Sequence, residues 1–316
     1  MELRKLGNSG LEVSPLCFGG NVFGWTADEK TSFQLLDAML DSGVNFVDTA
    51  DSYSTWVAGH QGGESETVIG RWFGARKNRE RVLLATKVGS DLGGGKKGLA
   101  KSYILREVED SLRRLQTDYI DLYQTHRPDP GTPEEETLST YAKLVEQGKV
   151  RAIGTSNYTA AQLAEALAIS REHRWPRYES LQPNYNLYDR ADYERELEPV
   201  CMKEGIGVIP YFSLAAGFLT GKYRSEGDLA QRARGQFVKK YMNERGFAIL
   251  AGLDEVAKEE NATPAQVALA WLMARPSITA PIVSATSVEQ WKEIARATEL
   301  KLSASAIERL NAASGY

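Results

Sequence analysis

An aspartate, a tyrosine, a lysine and a histidine in this chain could together carry acid–base chemistry on a carbonyl. Three of them stand where apolar runs end. Asp48 closes the run that includes Phe46 and Val47, Lys87 follows "VLLAT", and His126 follows "DLYQT". Tyr53 comes five residues after Asp48, in "FVDTADSY". A free phenol, with a pKa of about 10, gives up its proton poorly at neutral pH. A neighbouring ammonium stabilises the phenolate and lowers that value. Lys87 is the expected ammonium, and Asp48 the carboxylate that keeps it charged and aimed. A neutral His126 is the donor that holds a substrate oxygen. Taken singly, each has an ordinary explanation: Asp48 as a turn cap, Tyr53 as a half-buried loop aromatic, His126 as a structural histidine. Lys87 demands a partner on its own, because its ammonium would enter an apolar interior. The joint placement is what points to a site.

The segments that must position these groups follow a rhythm. "LRKLGNSGLEV" reads as a β-hairpin. Eight apolar runs follow: "LCFGG", "NFVDTA", "RVLLATKV", "YIDLYQTH", "VRAIGTSN", "SLQPNYNL", "IGVIPYF" and "PIVSA". Amphipathic helices are predicted between them. Over residues 29–42 Phe33, Leu36 and Leu40 share a face before Gly43, and over 101–115 Ile104, Val108, Leu112 and Leu115 do so. A further helix over 137–147 ends at Gly148. Apolar strands alternating with one-sided helices imply a parallel sheet buried on both faces, either an open doubly wound sheet or a closed barrel. Eight units favour the α/β (β/α)8 TIM barrel, expected as a single domain over residues 1–316. In such a barrel the carboxyl ends of the strands converge on one mouth, so Asn157, Gln182, Tyr211 and Ser284 should join the four residues there. Long loops at 88–100 and 213–243 should lie over the same face.

Composition narrows the function. With 42% hydrophobic and 25% charged residues and a net charge of -4, the chain has no bulk electrostatic attraction for nucleic acid or an anionic membrane. The N-terminus lacks an apolar signal region and no run reaches spanning length, so a cytoplasmic protein is expected. The two cysteines, Cys17 and Cys201, lack metal or redox spacing, and the three histidines are scattered, which disfavours a zinc centre or metal-dependent hydrolase. A site that polarises a carbonyl without a metal needs electrons from elsewhere, and an organic hydride donor is the simplest complement.

Taken together, "LRKLGNSGLEVSPLCFGG", "FVDTADSYS", "GESETVIGRW", "LLATKVG", "DYIDLYQTHRPD", "VRAIGTSNY", "QPNYNL", "SLAAGFLTGKY" and "PIVSATSVEQ" make the chain similar to the aldo-keto reductases along nearly its whole length. The last loop motif but one resembles the bacterial and channel-subunit-like branch. The resemblance implies a catalytic tetrad, with Tyr53 as general acid, Lys87 and Asp48 tuning it and His126 orienting the carbonyl. It also implies NADPH, with NADH possible, bound extended across the mouth. Gly20 and Asn21 would contribute, Ser156, Asn157 and Gln182 would hold the carboxamide, and Tyr211 would stack on the nicotinamide. Ser213, Leu214, Gly217, Leu219, Gly221 and Lys222 would wrap the pyrophosphate, with Arg234 as a clamp. Ser284, Thr286, Gln290 and Glu293 would reach the adenosine side, although Ser287 and Gln290 also suit a capping box.

The chain departs from the family pattern at Thr286, where an arginine is common, and at Ile294, where an asparagine is common. Residues 93–98, "GGGKKG", satisfy a dinucleotide fingerprint formally, but Val88 to Leu92 separate them from their strand and two lysines mark an exposed loop. The expected activity is reduction of an aldehyde or ketone, or oxidation of an alcohol. A slow-turnover NADP(H)-binding regulatory subunit is the alternative. Aromatics expected as the pocket wall are Phe23, Trp25, Tyr53 and Trp56; the substrate and the oligomeric state stay open.

Overall fold

The structure, a computed structural model, describes residues 1–229 and 235–316. A two-stranded antiparallel hairpin, β1 (Arg4–Lys5) and β2 (Glu12–Val13), opens the chain. The eight strands that follow are β3 (Cys17–Gly19), β4 (Phe46–Asp48), β5 (Leu83–Val88), β6 (Ile120–Thr125), β7 (Val150–Ser156), β8 (Tyr178–Gln182), β9 (Gly207–Val208) and β10 (Ile282–Val283). They form one parallel sheet in the order β10-β3-β4-β5-β6-β7-β8-β9. The sheet closes where Thr279 N–H donates to the Val208 carbonyl at 2.8 Å and Ile282 N–H to the Pro210 carbonyl at 2.9 Å. The result is the (β/α)8 barrel expected from the strand count.

Helices α1 (Glu29–Asp41), α2 (Glu64–Arg76), α3 (Lys101–Leu115), α4 (Glu134–Glu146), α5 (Ala160–His173) and α6 (Glu198–Glu204) follow β3 to β8 in turn. After β9 come the short α7 (Gly235–Val238), then α8 (Glu244–Glu259) and α9 (Pro264–Ala274); α10 (Val288–Ala295) and α11 (Ala304–Ala313) close the chain. Local chemistry sets several starts. Asp28 accepts from Thr31 N–H ahead of α1, and Thr159 and Thr263 form reciprocal capping boxes with Gln162 and Gln266 at α5 and α9. Helix α4 begins three residues before its predicted start, because Glu134, Glu135 and Glu136 complement the positive end of the helix. Strand β8 stops at Gln182, short of the run "SLQPNYNL", since Pro183 has no N–H for the ladder.

Two apolar layers hold this together. One lies between the sheet and the helices and includes Trp72, Tyr123, Trp271 and Trp291, all fully buried. The other fills the barrel interior with Phe46, Leu122, Ile209 and Ile282, and is capped by Leu6, Leu11 and Val13 of the hairpin. Arg4 locks the hairpin there by donating to the carbonyls of Met273, Ile278 and Thr279. The hairpin thus plugs the amino end of the barrel and leaves the carboxyl end for a cleft. Among the described residues no helix is long and apolar enough to cross a membrane, and no cluster of His, Cys, Asp or Glu could hold a metal.

Candidate active site

Asp48 is the last residue of β4, Lys87 the last but one of β5, and His126 follows β6 directly, so three adjacent strands deliver them to one place. Tyr53 returns to them on the turn after β4, tied down by Asp51 N–H donating to the Lys87 carbonyl and by Gly63 N–H donating to the Asp51 carbonyl. The Lys87 ammonium is fully buried, and its three protons meet three acceptors: Asp48 Oδ2 at 2.7 Å, the Thr49 carbonyl at 2.8 Å and the Tyr53 hydroxyl at 2.7 Å. Tyr53 in turn donates to Asp48 Oδ2 at 2.9 Å. Asp48 Oδ1 accepts from Gln182 Nε2 at 2.8 Å and Gln124 Nε2 at 3.3 Å. A buried ion pair is tolerable only when its remaining donors and acceptors are met, and here they are.

The electrostatics correct one expectation. The Tyr53 phenol sits well above its ordinary pKa, chiefly because burial penalises the phenolate and next because the Asp48 carboxylate is so close. Burial and the Asp48 carboxylate together leave the phenol above its ordinary value, not below it as expected. Burial also lowers the Lys87 pKa, against the raising influence of Asp48. His126 is held well below its usual range, first by burial and then by the charges of Lys87 and Arg127, which keeps the imidazole neutral as expected. Ser52 Oγ lies 3.2 Å from His126 Nδ1, leaving Nε2 for the cleft.

These groups open onto a cleft of about 700 Å³. Of the residues proposed for a cofactor, it is lined by Asn21, Ser156, Asn157, Gln182, Tyr211, Ser213, Leu214, Gly217, Lys222, Ser284, Thr286 and Gln290. Several of these are already engaged with each other. Asn157 donates to the His126 carbonyl and to Ser156 Oγ and accepts from the Tyr211 hydroxyl at 2.8 Å. Ser156 Oγ donates to the Gln182 carbonyl, and Ser284 Oγ to Asn21 Oδ1. Gln290 Oε1 accepts from Thr286 N–H at 2.8 Å, so it braces the turn ahead of α10 while still facing the cleft.

Four proposed residues lie off the cleft wall. Gly20 packs under it, where an added Cβ would stand 3.0 Å from the Asp48 carbonyl and Ser65 Oγ. Leu219 is fully buried in the core. Gly221 turns the chain at φ +77° with its carbonyl accepting from Arg224, and Glu293 is exposed on α10. Arg234 lies outside the described residues. Of the expected aromatic wall, Tyr53 and Trp56 face the cleft; Phe23 is fully buried against Phe18, and Trp25 packs edge-on against Trp56. Ser52, Gln124, Arg127 and Phe212 are additions. Gln124 was legible in principle, lying two residues after Leu122 on the barrel-facing side of β6 and two before His126.

The donor set suits an anionic dinucleotide. Hydroxyls, amides and the Lys222 ammonium line the far part of the cleft, and Ala216 and Gly217 at φ +56° and +99° turn the backbone there into the left-handed region. Close by, the Asp48, Lys87 and Tyr53 network offers a proton beside a neutral imidazole.

A barrel with such a network at its mouth fits an oxidoreductase. The chain belongs to the aldo/keto reductase family, whose model matches residues 15–314. It is 38% identical over 319 residues to an uncharacterized oxidoreductase, YrpG, of Bacillus subtilis, covering 98% of this chain and 95% of that protein. It is 30% identical to the protein Tas of Escherichia coli, covering 99% and 97%. It is also 33% identical to a probable voltage-gated potassium channel subunit beta of Arabidopsis thaliana, covering 95% and 92%. The family generally works with NAD(P)H.

Proposed function

We propose that this protein reduces aldehydes or ketones to alcohols with NADPH, NADH being the other candidate, and runs the reverse oxidation under the opposite mass action. The observation that carries the reading is the hydrogen-bonded chain from Asp48 through Lys87 to Tyr53, with each contact between 2.7 and 2.9 Å, ending at the cleft. The reduced nicotinamide, when bound, supplies the hydride. Tyr53, protonated at rest, gives its proton to the substrate oxygen as negative charge builds there. Lys87 then has a phenolate to stabilise and is already hydrogen-bonded to that oxygen. His126 Nε2 donates to the carbonyl oxygen, provided that Ser52 donates to Nδ1. Gln124 and Gln182 keep Asp48 aimed at Lys87, so the network needs little reorganisation during the reaction.

The cofactor's nicotinamide end would rest against Tyr211, Ser156, Asn157 and Gln182, its pyrophosphate against Ser213, Leu214, Gly217 and Lys222, and its adenosine side against Asn21, Ser284, Thr286 and Gln290. We place the protein in the cytoplasm, which suits two buried free cysteines, Cys17 and Cys201. The test is a fluorescence titration with NADPH and NADH, followed by aldehydes and ketones added to the bound complex. Tight binding with oxidation of the bound nucleotide supports the reading; binding of neither nucleotide ends it. The channel-subunit relative favours a second reading, a cofactor-dependent regulatory subunit. A stable complex with negligible turnover on every carbonyl would select it.

A further inference from the structure

The charge inventory of the cleft is one-sided. No aspartate or glutamate is among the described residues that line it, and its two cationic side chains are Lys222 and Arg127. This holds in a chain whose net charge is -4. The two cations belong to different parts of the cleft. Lys222 follows the turn at Gly221, beside Gly217, in the part suited to a pyrophosphate. Arg127 follows His126 directly, and its charge acts on both His126 and Tyr211, so it stands at the catalytic end. Among the described residues Arg127 forms no ion pair. The nearest carboxylate in sequence, Asp129, is taken up by the N–H groups of Leu99 and Gly131 and by Thr132. An exposed arginine with no partner among the described residues, one residue after His126 at the cleft, needs another explanation.

The surroundings narrow it. Trp56 and Phe212 also line this end and remain 52% and 42% exposed. Phe212 stands at φ +53°, a conformation that bulky residues rarely adopt. Such strain persists only where the surrounding structure enforces it, and here it occurs at a ring on the cleft wall. The mouth therefore offers two apolar aromatic faces and one free guanidinium, a fork that matches a planar oxyanion.

We propose that Arg127 is a specificity-determining residue that selects carbonyl substrates bearing an oxyanion, a carboxylate or a phosphate, on an apolar or aromatic body. The inference rests on the reductase reading for its chemistry. The aromatic body lies against Trp56 and Phe212, the oxyanion pairs with Arg127, and the carbonyl reaches Tyr53 and His126. The cation acts through binding, so its effect falls on KM more than on kcat.

The test compares 3- and 4-carboxybenzaldehyde with their methyl esters, for wild type, Arg127→Met and Arg127→Lys, with NADPH. In wild type, at least one acid is preferred over its ester in kcat/KM. Arg127→Met lowers that preference tenfold or more, mainly through KM; Arg127→Lys restores part of it, and added salt erodes it. An acid-to-ester ratio that is the same in wild type and Arg127→Met, for both isomers, overturns the inference while leaving the reductase reading intact. If no carbonyl is turned over, the reductase reading fails separately. The inference is then judged by quenching of tryptophan fluorescence with 4-(hydroxymethyl)benzoate and its methyl ester. A preference for the acid that Arg127→Met abolishes supports it, and equal or absent binding of the two overturns it.

Discussion

Two buried ionic clusters lie on opposite faces of the same stretch of strand. Lys87 points into the barrel mouth and pairs with Asp48, both side chains fully buried. Thr86, one residue earlier and therefore on the other face, donates at 2.6 Å to Glu66, which pairs with Arg114, and Arg114 also holds Glu107. The chemical types are the same, carboxylates against a cation, and both clusters are well bonded. What separates them is the last member. The inner cluster ends in Tyr53, which lines a cleft while its hydroxyl donates to Asp48; the outer one closes on itself and ties α2 and α3 to β5. A buried ion pair is weak evidence for stability and none for catalysis by itself. It becomes an active site when a group able to transfer a proton shares it and meets solvent-accessible space.

The comparison is broken most sharply at its functional end. Tyr53→Phe should lower kcat by about 10²–10⁴-fold, the usual worth of a positioned general acid, with nucleotide binding retained. Single-turnover oxidation of bound NADPH measures this, and a kcat within a few-fold of wild type would remove Tyr53 from the chemistry. At the structural end, Arg114→Met strands Glu66 and Glu107 without their cation and should cost about 3–5 kcal/mol in stability, the penalty for breaking a buried pair. Urea unfolding reads it, and a loss under 1 kcal/mol would mean that the outer cluster is not needed to hold the helices.

A smaller effect sharpens the same point. A Cβ on Gly70 of α2 would stand 2.0 Å from the Arg114 carbonyl of α3, so Gly70→Ala should cost about 1–3 kcal/mol through overpacking. A stabilised variant would show that the helices can part. The smallest effect is in the pH response. His126 stays neutral in the fold well below its ordinary pKa, whereas the unfolded chain takes up a proton near about 6.5. The stabilising contribution is therefore complete above that value and is lost as pH falls through it toward the folded pKa. His126→Asn should flatten this part of the stability profile. With His126 lowered, kcat for reduction should show no inflection near about 6.5; a step there would contradict the His126 shift.

Much of this was legible in the order of residues. A strand's alternation and a helix's one-sided face are local patterns, so α1 and α3 fall within a residue of the ranges read from Phe33, Leu36 and Leu40 and from Ile104, Val108, Leu112 and Leu115. The end of an apolar run is local too, and in a barrel it maps onto one rim, which is why Asp48, Lys87 and His126 could be placed together. Partners and solvation are not local. Ser52 and Gln124 bond to groups from other strands; the loop after β9 sends Gly217 and Lys222 to the cleft but Leu219 into the core; and the Tyr53 proton is set by desolvation from every segment around it. The sequence by itself determined which side chains arrive at the barrel mouth, because strand register carries them there. Only the tertiary structure decided whom each one bonds and how tightly Tyr53 keeps its proton, because hydrogen bonding and burial are sums over residues far apart in the chain.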